Sequence, residues 1–497
     1  MRKDVSLDSV SDKAPEAPEQ GGCSPTAAVW GTSGTLQRTA TAWRWRETAT
    51  VVLCILSIIF AGEWLPDLGH RTTIYCVAVM TMLAGVAMMR RTMGRTPAAE
   101  CIFMLAVTLL TIGIMLNASW FSAGTGFSDA SPNLVNDDAS RAWDNAIAFH
   151  NGTWQSEQRL WNLYGVIISL FFIPFGPSIA IALTSSMIAG AAVLLFTSLT
   201  AWRLTRSRAV ATVALVATAM VGYLMASATI LVKDIWVVAG FAIAAYGLCQ
   251  WRRQSPWWVA AAMIPVALVR PNIILAMIAG VLIIGWTMRR EPGRRWPAML
   301  AVIVFGLAVI VPAKLIANTP SIHGQLSDSG AFIMGQPEDR MAFFNIVGAE
   351  TAFSPIRKIL FLPLLALTQF IIPLPWNLDG DAMYGPTLAM AHISIPWYIF
   401  GAVVVFYLCA AKRSAGDRKL LALTLWGVFC WLIPVYVAMG TVPRYALCAV
   451  PLMAPAVGAV LIRCSHRRAL WIWLAVFCVL MAAGLFCVYN IQHSVMS

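Results

Sequence analysis

Long apolar runs, cut by short basic segments, dominate the chain. A membrane helix needs about 20 mostly apolar residues. Runs of that kind occupy 48–66, 73–89, 97–117, 177–202, 209–230, 234–250, 255–270, 272–288, 297–316, 395–411, 419–439, 443–462 and 469–490. They predict an all-α polytopic membrane protein, a bundle of about 13 transmembrane helices. Two longer stretches, 118–176 and 317–394, interrupt the rhythm. Each holds an apolar piece, 160–175 in the first and 359–375 in the second, the latter broken by Pro363, Pro373 and Pro375. If 359–375 crossed the bilayer, the alternation of basic loops downstream would fail. Both pieces are therefore expected to be re-entrant or to lie along the surface, covered by other protein.

The basic segments set direction. Arg90/Arg91/Arg95, Arg203/Arg206/Arg208, Arg252/Arg253, Arg289/Arg290/Arg294/Arg295, Lys412/Arg413/Arg418/Lys419 and Arg463/Arg467/Arg468 fall at every second loop. Those loops, and the N-terminus, are expected on the cytoplasmic side. The two long segments then become extracytoplasmic. Trp202, Trp251, Trp257, Trp258, Trp286 and Trp296 flank the basic loops, as an interfacial aromatic belt would.

Composition agrees. Of 497 residues, 59% are hydrophobic and 12% charged, with mean hydropathy +0.72, where soluble domains run about 25% charged. The excess of 35 Lys and Arg over 23 acids gives +12, which suits loop orientation. No basic stretch with interleaved aromatics points to nucleic acid. The cysteines, such as Cys54, Cys101, Cys249, Cys409 and Cys478, mostly sit inside apolar runs without metal-ligand spacing. They read as small apolar residues rather than as a disulfide frame or zinc site. Residues 1–47 are polar and end in "WRWRE". They read as a disordered cytoplasmic tail with a basic anchor, not a cleavable signal peptide. Residues 48–490 form the membrane domain, and 491–497 an external tail.

Charges recur at the outer ends of the predicted helices: Lys233 and Asp234 in "LVKDIW", Arg270 in "ALVRPNI", and Arg444 in "TVPRYAL". From Arg253 to Arg270 is roughly 25 Å of helix, less than the ~30 Å hydrocarbon core, so Arg270 is expected below the outer surface. Two readings stand for it. It snorkels or pairs with a carbonyl or an acid such as Asp234, or it faces a ligand. A phosphate carried on a lipid suits an arginine fork, with its tail left in the bilayer.

In the first long segment, Asp137 to His150 has helical spacing, with Ala139, Ala142, Trp143, Ala146 and Ile147 on one face. Asn136 or Asp137 can cap it. Asp137 and Asp138 stand four and three residues before Arg141, so either can pair with it. A capped, salt-bridged surface helix explains the acids without catalysis. Asp129 and Asp144 read as solvated. His150, His323 and His392 read as structural. Tyr164, Trp161 and Trp376 read as core packing more readily than as sugar platforms.

The order of these motifs resembles the GT-C glycosyltransferases, especially bacterial enzymes of the protein-mannosyltransferase and aminoarabinose-transferase branches. Asp137-Asp138 is followed by "AIAFHNGTW", then "LYGVIISLFFIPFGPS", then a helix ending "TAWRLTRSR". "LVKDIW", "VRPN" and "PRYALCAVPL", which carries Arg444 and Tyr445, resemble the family's outer-end motifs. The resemblance runs patchily over roughly 97–490. Arg141 stands where the family often has an aromatic residue, and 48–66 with 73–89 look like an added helix pair.

The resemblance implies transfer of a sugar from a polyprenyl-phosphate donor to a glycan, lipid or protein acceptor on the outer face of a bacterial inner (plasma) membrane. Asp137 would be the base, with Asp138 as alternate. Arg141, Lys233, Asp234, Arg270, Arg444 and Tyr445 would bind substrate. Some branches of the family bind a divalent cation, magnesium or manganese, between acids and others do not. Asp137 and Asp138 alone are too few ligands to argue one. A polysaccharide polymerase of the outer face shares the pairing of external loops with arginines. A lipid-linked-sugar flippase or transporter would instead show charges near the midplane and repeated halves.

Overall fold

The computed structural model describes residues 33–65, 68–122, 137–153, 164–250, 255–270, 273–287, 303–304, 395–409, 417–438 and 446–496. Every element among them is helical. The chain divides into two units, Met1–Arg46 and Glu47–Ser497. Of the first unit, residues 33–46 are helical and open α1 (Ser33–Glu63). The helix thus begins inside the segment expected to be disordered. "TLQRTATAW" has no proline and holds good helix formers, so helix extends back from the apolar run.

The second unit continues with α2 (Arg71–Met93), α3 (Pro97–Ser122), α4 (Asp137–His150), α5 (Tyr164–Phe175), α6 (Ile179–Thr205), α7 (Arg208–Ala219), α8 (Gly222–Ser227), α9 (Asp234–Gln250), α10 (Ser255–Val269) and α11 (Ile274–Thr287). After a long interval come α12 (Ile395–Cys409), α13 (Arg418–Ala438), a 3-10 turn (Leu447–Ala449), α14 (Val450–Cys464) and α15 (Arg468–Met496). The expected span 297–316, nearly all of it, and the apolar piece 359–375 lie outside the described residues. Among the described residues, Arg71–Met93, Pro97–Ser122, Ile179–Thr205 and Leu447–Cys464 are long and apolar enough to cross a membrane. Large apolar side chains such as Phe60, Met80, Leu105, Trp257 and Val479 face outward. In water such a surface would associate; in lipid it is at home. The chain is an integral membrane protein.

Helix α6 is the hub. It packs against α2, α3, α5, α7, α9 and α14. Its hydroxyls are buried yet satisfied: Thr184, Thr197 and Thr200 donate to carbonyls one turn back, and Ser198 donates to Ala211 O of α7 at 3.1 Å. One expected span breaks. The run 209–230 is apolar throughout, but α7 stops at Ala219, Val221 turns extended (ψ 92°), and Gly222 starts the short α8. Hydropathy does not register the break because both pieces are oily.

One end of the bundle is tied by arginines. Buried Glu100 accepts from Arg90 Nε and Nη2 at 2.8 and 2.6 Å and from the Thr96 amide at 2.8 Å. Arg95 grips Glu47 through Nε and Nη2 at 3.2 and 2.6 Å. These bonds join α1, α2 and α3. Arg208 Nε donates to Met93 O, and Arg463 Nη1 to Asp417 Oδ1.

At the other end, α4 lies on α5, and α5 on α6. The apolar face read from sequence is the face that packs: Ala139, Ala142, Trp143 and Ala146 are buried. Trp143 meets Phe172 edge-on at 5.6 Å, and His150 meets the same ring at 6.0 Å. Helix α5 has 12 residues, about 18 Å of helix. That is too short for a ~30 Å core. Gly165 permits the contact. A Cβ there would lie 2.7 Å from Asn145 Cβ and 2.9 Å from the Ala146 backbone nitrogen. Backbone cannot swing aside, so Gly165→Ala is expected to cost about 1–3 kcal/mol by overpacking and to loosen α4. A lowered melting temperature in detergent, with faster proteolysis between α4 and α5, checks this; an unchanged melt and digest would contradict it.

Candidate functional site

The candidate site forms where the ends of α9 and α10 meet. Asp234 opens α9, where an acid suits the positive end of the helix dipole; Arg270 follows the last turn of α10, where a cation suits the negative end. Arg270 Nε and Asp234 Oδ1 are 2.7 Å apart. Asp234 is 5% exposed and Arg270 22%, so the pair is nearly dry and opens on the arginine side. Helix α10 has 15 residues, about 22 Å, which leaves Arg270 below the reach of a full span. Of the two sequence readings for Arg270, pairing with Asp234 is realised.

Three further side chains help to build this end of the bundle. Cys448 is buried in the 3-10 turn before α14, which packs on α9. Tyr164, at the start of α5, is fully buried, and its hydroxyl lies 3.1 Å from Ser186 Oγ of α6. Burial pushes the Tyr164 phenol up to about 12; its bonds to Ser186 and Ser185 oppose the shift, and the nearby charge of Asp234 adds to it. The phenol therefore keeps its proton across the physiological range. Tyr164 is no sugar platform; it is a strut between α5 and α6. Asn117, in the last turns of α3, is buried and donates Nδ2 to Thr229 O at 2.7 Å. That bond holds the turn leading into Lys233 and Asp234.

Lys233 is half-buried beside Asp234. Arg141 is exposed on α4. Asp137 and Asp138 form the first turn of α4, as the spacing predicts, and the positive helix end favours them there. Their side chains, and Arg444 and Tyr445 altogether, lie outside the described residues. Asp144 is exposed on α4, and its carboxyl is raised above the usual range by partial desolvation. Among the described residues no three His, Cys, Asp or Glu side chains gather as a metal set.

Asn117, Ser186 and Cys448 were not singled out for this site by sequence. Asn117 and Cys448 sit in apolar runs and differ from their neighbours only in a small polar group. The signal for Asn117 was available, since a buried amide in a membrane helix needs a partner.

The fold and this end of the bundle define an integral membrane protein, helical throughout its described elements, with a charged pair sunk at one end. No family model matches the chain, and no curated protein matches it. Among solved structures it is similar to ArnT from Cupriavidus metallidurans bound to undecaprenyl phosphate. The identity is 15% and the TM-score 0.45, over 77% of this chain and 63% of that one. It is similar to the apo state of the same protein at 15% identity and TM-score 0.45, over 73% and 59%. The chain thus spans less than two thirds of the length of those structures.

Removing one partner of a buried ion pair strands the other charge, at about 3–5 kcal/mol. Asp234→Asn is expected to lower stability by that order, and Asp234→Asn with Arg270→Gln by clearly less than the sum of the single changes. Thermal melts of the four proteins of this double-mutant cycle in one detergent test it; additive losses would deny the coupling.

Proposed function

We propose that the protein is a membrane glycosyltransferase that moves a sugar from a polyprenyl-phosphate donor to an acceptor on the extracytoplasmic face. The observation that carries the reading is convergence. "LVKDIW", "VRPN", "PRYALC" and "LYG" are far apart in the chain, yet Asp234 pairs with Arg270 at 2.7 Å, the 3-10 turn that carries Cys448 packs on α9, and Tyr164 ties α5 to α6. A flippase is supported less well, because the described charges gather at bundle ends and not in the middle.

In this reading the Asp234 end faces outward and the arginine-tied end faces the cytoplasm. The donor's tail stays in lipid while its phosphate enters beside Arg270. Asp137, with Asp138 as alternate, takes the proton from the acceptor's hydroxyl or amine as that atom attacks the anomeric carbon. The new glycosidic bond forms as the bond from that carbon to the phosphate oxygen breaks, and the electron pair leaves with the phosphate. Attack opposite the leaving group inverts the anomeric centre. Arg270, with Lys233 and Arg444, stabilises the departing charge. Asp234 keeps the Arg270 guanidinium in place, and Arg141 and Tyr445 complete the substrate contacts.

Asp137→Asn or Asp138→Asn is expected to lower transfer from a polyprenyl-phosphate sugar by about 10²–10⁴-fold, the range of a general base, with insertion unchanged. Full activity in both variants would overturn the mechanism. Arg270→Lys keeps a cation for Asp234 but loses the planar fork. It is expected to raise the donor KM more than it lowers kcat; an unchanged KM would remove Arg270 from the phosphate site.

A further inference from the structure

The arginine-tied end holds a second cluster that the transfer reading does not use. The last turn of α6 carries Arg203, and its cap carries Arg206. Both guanidiniums lie over the same indole: Arg203 Cζ is 5.2 Å and Arg206 Cζ 4.8 Å from the Trp202 ring centre. Arg203 also lies 5.9 Å from the ring of Tyr246 on α9. Tyr246, Phe196 and Trp258 form a mutual edge-on triad, with ring centres 5.4 to 5.8 Å apart. Two positive charges thus share one aromatic platform at the rim of a buried aromatic cluster.

Three features set this pair apart from its neighbours. Arg90, Arg95 and Arg463 face carboxylates; among the described residues neither Arg203 nor Arg206 is in an ion pair. Arg203 Nε is buried and has no acceptor among the described protein atoms, although a desolvated guanidinium nitrogen demands one. Arg206 caps α6 in the left-handed region, at φ 55° and ψ 15°. The left-handed turn lets the Arg206 amide cap Trp202 O at 2.7 Å, a task glycine usually performs without strain. The negative end of the helix dipole favours cations at both positions, but it supplies no acceptor for a buried Nε and does not explain an arginine in place of a glycine.

We propose that Trp202, Arg203 and Arg206 form a binding site for the phosphate headgroup of an anionic membrane phospholipid, whose acyl chains stay in the surrounding bilayer. The phosphodiester supplies the acceptor that Arg203 Nε lacks, and its single negative charge relieves the repulsion between two like charges held on one ring. The site stands at the far end of α6 from Ser186, and it does not depend on the transferase reading.

The test uses the full chain purified in dodecyl maltoside, with added phosphatidylglycerol or phosphatidylcholine. Wild type is expected to retain phosphatidylglycerol in native mass spectrometry and to melt higher with it than with phosphatidylcholine. Arg203→Gln with Arg206→Gly is expected to weaken retention at least tenfold and abolish the difference in melting. Arg206→Gly alone relieves the backbone strain, so it is expected to fold at least as well as wild type while losing part of the preference; it carries the test if Arg203→Gln does not fold. Equal retention of the two lipids by wild type, or undiminished phosphatidylglycerol retention by Arg206→Gly, would overturn the proposal. So would displacement of phosphatidylglycerol by millimolar inorganic phosphate, which would make the site one for free phosphate.

Discussion

The contact between Asp234 and Arg270 is the constraint on which the site end depends. Two charges so far out of water are stable only when each serves the other, so α9 and α10 must bring their ends together. The antiparallel α9–α10 packing, the short α10 and the Asn117 bond to the preceding turn all follow that requirement. Helix α6 makes the arrangement possible. It presents a small, hydroxyl-lined surface on which α5 can set Tyr164 against Ser186.

The two ends of the bundle solve different problems with the same residue type. At the arginine-tied end, carboxylates from α1 and α3 fix arginines of α2 and the loop that follows it, and the bonds join helices. At the site end, the guanidinium of Arg270 keeps partial exposure beside its acid. A cation held by a buried acid but open on one side can meet an incoming anion without rearrangement, as preorganised electrostatics requires. At the former end, Arg203 and Arg206 gather on Trp202 rather than on a carboxylate.

Much of the helix layout was legible in the sequence, because membrane spans announce themselves by length and hydropathy. Helix α4 has the bounds its spacing gives, and α9 those of its apolar run. The break between α7 and α8 was hidden, since a turn between two apolar pieces leaves hydropathy unchanged. Asp234 and Arg270 were visible as misplaced charges, but whether Arg270 paired or faced a ligand was left open, because partnership is a tertiary fact. Ser186 and Cys448 carried no signal. A hydroxyl or thiol in an apolar helix looks like filler until its neighbours are known.

The burial of Asn117 has a consequence for biosynthesis. The asparagine heads an Asn-Ala-Ser sequon, yet its amide nitrogen is already committed to Thr229 and sealed from solvent. Asn151, heading Asn-Gly-Thr, lies in an exposed turn. In a host that decorates such sequons with glycan, a sugar on Asn151 is compatible with the finished molecule. A sugar on Asn117 would brand a polypeptide whose third helix had not yet closed on the strap before α9.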